Sequence, residues 1–242
     1  MRVDFDWLHQ VLSDPLWYRE VAPLVKDLEK LSEENRDEYE GLKDTVYGFF
    51  EARLANGYLA LGSEEGIWDD ERVPIDKVVI HHTSNPAGLK PSRLSAMELI
   101  RLYAPIYANP PTPEDRAKAQ GKPISSGHVR EGKQVFWPYH WLIRRQGGFT
   151  QLLYDDEIGW HAGNWKINCR SIAICFDGDF ENGRPSDTEL NTAGWIIRKF
   201  YPSIKKENIF GHMEVRLRGP TSCPSTLFLG ENGWKKDLLA HV

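Results

Sequence analysis

The stretch that decides the fold is Lys77-Val78-Val79-Ile80-His81-His82-Thr83, in which a short apolar run ends in polar side chains. Three consecutive β-branched residues are typical of a strand that is buried on both faces of a sheet. The polar residues follow at the carboxyl end of this strand, where side chains reach the edge of the sheet. Because strand side chains alternate, only one of the two adjacent histidines would face a given side.

Further strands and helices follow from the same kind of pattern. Strands are predicted at Tyr139–Arg145, Phe149–Tyr154 and Ser171–Phe176, with a turn at Gln146-Gly147-Gly148 joining the first two. Helices are predicted at residues 94–107, at Asp187–Phe200 and, as a short closing element, after Gly230. Helices interleave with strands that include one hairpin, so the predicted fold class is α/β, with a mixed central β-sheet flanked by helices.

The N-terminal part has a different, helical pattern. Asp14 before Pro15 indicates a helix start, and Asn56-Gly57 is a stop signal, which together predict a helical hairpin over roughly residues 13–56. We therefore expect an N-terminal helical extension at residues 1–70, packed on a second domain at residues 71–242, which carries the predicted sheet. Residues 108–138, rich in Pro, Gly and Ser up to 135, are predicted to form a long surface loop.

Composition excludes several classes of protein. The 242 residues carry a net charge of −5, whereas nucleic-acid binders usually show a basic patch or stripe. The chain lacks an apolar stretch of the roughly 18–20 residues that span a membrane. The N-terminus is acidic and interrupted by Pro15, unlike a secretory signal. Three cysteines, at 169, 175 and 223, cannot form a disulfide framework and leave one available as a metal ligand.

Two further segments carry residues that bind metals. Gly211-His212 follows a predicted helix, and Cys223-Pro224 lies a short way on. A hydrolytic zinc site commonly has three protein ligands drawn from His, Cys, Asp and Glu, with one open position. The spacing from His212 to Cys223 is longer than that of a helical pair or a zinc finger, and by itself it is weak evidence for a metal.

Four motifs together resemble a known family. They are Val78-Val79-Ile80-His81-His82-Thr83, Tyr139-His140-Trp141-Leu142-Ile143, Gly159-Trp160-His161-Ala162-Gly163 followed by Ser171-Ile172-Ala173-Ile174, and Gly211-His212-Met213-Glu214-Val215 with Thr221-Ser222-Cys223-Pro224. In this order, over about residues 76–229, they resemble the type-2 N-acetylmuramoyl-L-alanine amidases. That family includes amidase-type phage lysozymes and peptidoglycan recognition proteins.

The resemblance implies a role for each matching residue. His81, His212 and Cys223 match the ligands of one catalytic Zn²⁺, and His82 is the alternative to His81. Tyr139 matches a catalytic tyrosine, and Thr221 matches a residue that helps to hold the oxyanion. His161, Asn164 and Trp165 are expected to bind substrate, with packing in the core as the alternative for Trp165. For Tyr139, Thr221 and His161 the alternatives are, in turn, a buried strand aromatic, a loop cap and a structural hydrogen bond.

The implied activity is zinc-dependent hydrolysis of the amide bond between N-acetylmuramic acid and L-alanine, in peptidoglycan or its fragments. A non-catalytic peptidoglycan-binding module of the same fold is the alternative, and a cysteine hydrolase using Cys223 is a third hypothesis. Some cytoplasmic recycling members carry a catalytic Glu where this chain has Cys175. We expect a monomer made in the cytoplasm without a signal peptide. It would act on cell wall after release or on recycled fragments in the cytoplasm.

Overall fold

The structure, a computed structural model, describes residues 3–217 and 219–242, and contacts along the chain divide it into two compact units. The first unit runs to Trp68 and includes Lys90–Phe136, and the second consists of Asp69–Leu89 and Trp137–Val242. Residues 90–136 thus group with the N-terminal helices. The division into domains at residues 1–70 and 71–242 stays a prediction.

The elements are numbered in chain order. The α-helices are α1 Phe5–Val11, α2 Tyr18–Glu34, α3 Arg36–Ala55, α4 Pro91–Glu98, α5 Ala104–Ala108, α6 Pro113–Ala119, α7 Trp165–Asn168, α8 Asp187–Phe200, α9 His212–Val215 and α10 Lys235–Ala240. The strands are β1 Lys77–His82, β2 Val129–Arg130, β3 Lys133–Gln134, β4 Trp141–Ile143, β5 Phe149–Gln151, β6 Ser171–Phe176 and β7 Ile209–Gly211. Within the described residues, no helix is both long and apolar enough to cross a membrane.

The first unit is built around the predicted hairpin, which is present as α2 and α3. Asn35 separates these helices and caps α3, accepting the backbone N–H of Glu38 at 3.2 Å. The predicted start at Pro15 is wrong, because the Asp14 carboxylate accepts the N–H of Leu16 at 2.7 Å in a turn. The helix therefore begins three residues later, at Tyr18.

The segment 108–138 is not the structureless loop that its composition predicts. Thr112 caps α6, its hydroxyl accepting the N–H of Asp115 at 3.0 Å, and Pro113 stands at the first position of that helix. Strands β2 and β3 then pair as an antiparallel hairpin. Thr112-Pro113 is a start signal for helix α6, but it lies in a segment so rich in Pro and Gly that the composition alone predicted a loop.

The second unit is organised on a five-stranded sheet in the order β5-β4-β6-β1-β7. Strand β5 is antiparallel to β4, and the remaining neighbours are parallel, so the predicted mixed sheet is confirmed. Strands β1 and β6 lie at its centre, and every residue of β6 is buried. This burial explains why both strands read as nearly continuous apolar runs.

The two faces of β1 have different surroundings. Val78 and Ile80 belong to the main core with the apolar residues of α8, which are Leu190, Ala193, Ile196 and Ile197. Helix α8 has the predicted bounds and begins with a capping box between Ser186 and Glu189. Because β-strand side chains alternate, His81 faces away from α8, and His82 faces the same side as Ile80.

Candidate functional site

Three side chains that could hold a metal ion converge at one edge of the sheet. His81 stands near the end of β1, His212 follows β7, and Cys223 lies in the loop after α9. Their candidate ligand atoms, one from each residue, all lie within 4.8 Å of one another. Since β7 pairs with β1 and places Gly211 beside Ile80, the sheet brings His212 next to His81.

The structure separates the two adjacent histidines. The His81 ring contacts the His212 ring, with centroids 4.7 Å apart, and its Nδ1 is 3.7 Å from the Cys223 Sγ. His82 instead accepts the backbone N–H of Phe180 through its Nδ1, at 3.0 Å. Strand alternation therefore directs His81 toward the other two donors and His82 into the opposite face.

His212 is positioned by a close approach of two chain segments. A Cβ on Gly211 would lie 2.6 Å from the ring of Phe228, so glycine is needed immediately before His212. The His212 ring hydrogen-bonds to the backbone of Ala162. Its Nε2 is 3.4 Å from the Arg216 guanidinium. A guanidinium can only donate, so Arg216 places a positive charge beside this ring nitrogen.

Burial dominates the electrostatics of this group. It lowers the pKa of His81 well below its usual value, with the nearby His212 and His161 as further causes. Burial, followed by the charge of Arg216, lowers the pKa of His212 to about 4. Both imidazoles are therefore neutral near pH 7, which is the form that binds metals.

Burial also raises the pKa of the Cys223 thiol to about 12. A thiol of this kind is a poor nucleophile, because the thiolate is the reactive form. This direction disfavours the cysteine-hydrolase hypothesis, although His81 lies near the sulfur. A bound divalent cation would offset the cost of the buried charge, since a coordinating thiol loses its proton.

The donors fit zinc by their chemistry. Two neutral imidazoles and one thiol make a set of three protein ligands, which leaves a fourth tetrahedral position for water or substrate. Each imidazole has one ring nitrogen in a hydrogen bond, His81 to His161 and His212 to the Ala162 backbone. Metal-binding histidines usually show this arrangement, in which the second nitrogen is held by a neighbouring group.

Two other residues with predicted roles lie beside these donors. The partly buried Tyr139 ring is 5.1 Å from the His81 ring, centroid to centroid. The Thr221 hydroxyl accepts the backbone N–H of Cys223 at 3.3 Å, so the loop-cap alternative describes one of its contacts. The geometry is compatible with the predicted roles and leaves them as predictions.

The three residues predicted to bind substrate differ in their surroundings. His161 is buried, and its ring nitrogens contact His81 at 3.0 Å and Ser171 at 3.1 Å. Asn164 donates its side-chain amide to the Val215 carbonyl at 3.0 Å. The partly buried Trp165 donates its indole N–H to Glu71 at 2.7 Å. Substrate binding by Asn164, Trp165 and His161 stays a prediction, and both ring nitrogens of His161 contact other residues of the protein.

Two further residues of the four motifs, Glu214 and Ser171, support the site from neighbouring positions. Glu214 accepts the N–H of Gly211 at 2.7 Å and forms an ion pair with Lys235 at 2.9 Å, so it holds the short helix α9 in place. Ser171 contacts His161 from the first position of β6. A polar residue opening an otherwise apolar strand was the available signal for this contact.

Comparisons with known proteins point in one direction. A family model described as N-acetylmuramoyl-L-alanine amidase matches residues 71–226, a range that includes all three metal-binding side chains, Tyr139 and Thr221. The 1,6-anhydro-N-acetylmuramyl-L-alanine amidase AmpD of Haemophilus influenzae is 32% identical over 84 residues, which are 31% of this chain and 46% of the relative. The chain therefore spans about half the length of this relative.

Two more distant similarities cover more of the chain. Peptidoglycan-recognition protein 2 of Holotrichia diomphalia is 24% identical over 158 residues, which are 65% of this chain and 71% of the relative. Among solved structures, the N-acetylmuramoyl-L-alanine amidase LysC from Clostridium intestinale URNW covers 70% of this chain and 85% of its own. That likeness has 19% sequence identity and a TM-score of 0.46.

Proposed function

This chain belongs to the N-acetylmuramoyl-L-alanine amidase family through residues 71–226, and we propose that it hydrolyses the amide bond between N-acetylmuramic acid and L-alanine. The substrate is peptidoglycan or a soluble fragment of it. The observation that carries the proposal is the convergence of His81, His212 and Cys223 inside the matched range. A domain that only bound the polymer would have no need for this buried set of donors.

His81, His212 and Cys223 are the residues that would hold zinc. When bound, zinc in such a site supplies Lewis acidity toward water and toward the amide carbonyl. The chain contributes the neutral state of both imidazoles and the burial that excludes bulk water from the donors. Arg216 adds positive charge at the edge of the site, where its guanidinium contacts His212.

Tyr139 and Thr221 are proposed to stabilise negative charge on the carbonyl oxygen of the scissile amide. The Tyr139 ring lies 5.1 Å from the His81 ring, centroid to centroid, and this proximity supports a role for its hydroxyl near the three candidate ligands. The Thr221 hydroxyl accepts an N–H from Cys223 and can still donate its own proton. Donors held in place by the fold stabilise an oxyanion without reorganising during the reaction.

Asn164 and Trp165 are proposed to contact the substrate near the reacting bond. Asn164 is hydrogen-bonded to the last residue of α9, and Trp165 is partly exposed. Aromatic rings with one polar edge suit surfaces that are apolar in one part and hydrated in another. A glycan or stem peptide offers both kinds of surface.

The test is to identify the products of digestion by mass spectrometry, using purified sacculi and soluble muropeptides. We expect free stem peptides beginning with L-alanine and glycan with intact lactyl groups. Cys223→Ala should abolish these products, and Cys169→Ala, which alters another cysteine of the same unit, should retain them. If the wild-type protein binds sacculi and releases no products, the amidase proposal is wrong and the protein is a non-catalytic binding module.

A further inference from the structure

We propose that Ser171, acting through His161, fixes which ring nitrogen of His81 carries a proton and so prepares His81 to bind a metal. The proposal rests on the zinc site of the proposed function and adds two positioning residues to it. The exposed fractions of the three side chains are 0% for Ser171, 5% for His161 and 1% for His81. Because these three residues are buried, bulk water does not compete for the hydrogen bonds between them.

The first contact joins the two histidines. The Nε2 of His81 is 3.0 Å from the Nδ1 of His161. Two ring nitrogens at hydrogen-bonding distance share a single proton, because two N–H groups would collide and two lone pairs would repel. The proton therefore resides either on His81 Nε2 or on His161 Nδ1.

The second contact decides between these two states. The Ser171 Oγ is 2.7 Å from the carbonyl oxygen of Ile167 and 3.1 Å from the Nε2 of His161. A hydroxyl has one proton to donate, and a carbonyl can only accept. Ser171 donates to Ile167, the shorter contact, and must then accept a proton from His161 Nε2.

The proton on His161 in turn determines the position of the proton on His81. With its proton on Nε2, neutral His161 has a lone pair on Nδ1, which accepts the Nε2–H of His81. The Nδ1 of neutral His81 is then left with a lone pair, and this atom is the one that lies 3.7 Å from Cys223 Sγ. The opposite order would put a proton on His81 Nδ1, facing the other donors, and would block metal binding there.

The same contacts reassign His161. Both of its ring nitrogens are used within the protein, toward Ser171 and His81, so it acts on the metal site as a positioning residue. Groups that hold the second nitrogen of a metal-binding histidine fix its tautomer and orientation. Ser171 extends this support by one further residue.

The test begins with zinc affinity, measured by chelator competition without substrate. Ser171→Ala should raise the zinc dissociation constant by about 10- to 100-fold, the usual effect of losing such a partner, and Ser171→Thr, which keeps a hydroxyl, should recover part of the affinity. Ser95→Ala is the matched control, because Ser95 is equally buried and accepts the N–H of Phe136 at 2.9 Å. It should lose stability and keep the zinc affinity of the wild type.

A second measurement has a wild-type arm that does not depend on how the variants fold. Nitrogen-15 NMR of the metal-free wild type should place the proton of His81 on Nε2, and in Ser171→Ala the Nδ1–H form should appear. A wild-type proton on Nδ1, or equal zinc affinities for Ser171→Ala and Ser95→Ala, would overturn the proposal. Absence of zinc binding in the wild type would instead refute the proposed function, and the NMR result would still decide the proton order.

Discussion

Replacing Cys223 with aspartate changes the pH dependence of zinc binding in a way that the structure determines. Burial raises the pKa of the Cys223 thiol from 9.0 to about 12, so the thiol is protonated at pH 7–9 and must release that proton to bind zinc. The histidines release none, because the pKa of His212 is already lowered to about 4 and that of His81 is also low. Affinity should therefore rise tenfold per pH unit, or about 100-fold from pH 7 to 9.

The aspartate variant should lack this dependence. An aspartate has an ordinary pKa of about 3.9, and a rise as large as that of Cys223 would bring it to about 7. It is then at least half ionised across the same interval, and its zinc affinity should change by about twofold or less. Cys223→Ala, which offers no third donor, serves as the baseline.

The assay is competition against a chromophoric chelator of known pH dependence, read at fixed ionic strength between pH 7 and 9. Calorimetry in buffers of different ionisation enthalpy gives the proton release directly. We expect about one proton per zinc for the wild type throughout, and for Cys223→Asp about half a proton at pH 7, falling to almost none at pH 9. A wild-type zinc affinity that does not change with pH, or equal proton release from the two proteins, would contradict the prediction. It would show that Cys223 does not bind zinc by losing a thiol proton.

Three further predictions follow from neighbouring contacts. Tyr139→Phe should keep stoichiometric zinc and lower turnover by about 10²- to 10³-fold; an unchanged rate would make Tyr139 structural. Gly211→Ala should cost about 1–3 kcal/mol in the free energy of unfolding and weaken zinc binding, because the new Cβ would meet Phe228; denaturant titration and zinc competition measure both. The pKa of His212 lies near 4 in the folded state, below its usual 6.5. The unfolded metal-free chain therefore binds more protons, and stability should fall from pH 6.5 to 4 by about 3 kcal/mol; His212→Asn should reduce that fall, and equal losses in thermal scans would contradict it.

Elements with strong local signals were predictable to the residue. Strand β6 is a run of six buried residues, and α8 combines a helical apolar pattern with the capping box at Ser186. Helix α6 and the β2–β3 hairpin were not predicted, because two-residue strands and a seven-residue helix carry little periodicity. The start of α2 was wrong because Asp14 can cap a turn as readily as a helix.

The site was predictable in its residues and not in its geometry. The motifs identified His81, His212 and Cys223, and strand alternation anticipated that His81 and His82 would part. The distance between the donors depends on the pairing of β1 with β7 and on a loop, which no local pattern encodes. The hydrogen bonds that join Ser171 with His161, and His161 with His81, depend on side-chain positions across different elements, so only the structure reveals them.

The most direct measurement of the central claim is zinc titration of the metal-free protein with a synthetic muramoyl-L-alanine peptide as substrate. A zinc site formed by His81, His212 and Cys223 predicts no hydrolysis without zinc, full recovery at one zinc per chain, and no recovery in Cys223→Ala at any zinc concentration that leaves the protein folded. Hydrolysis that persists after complete zinc removal, or full activity in Cys223→Ala, would contradict it.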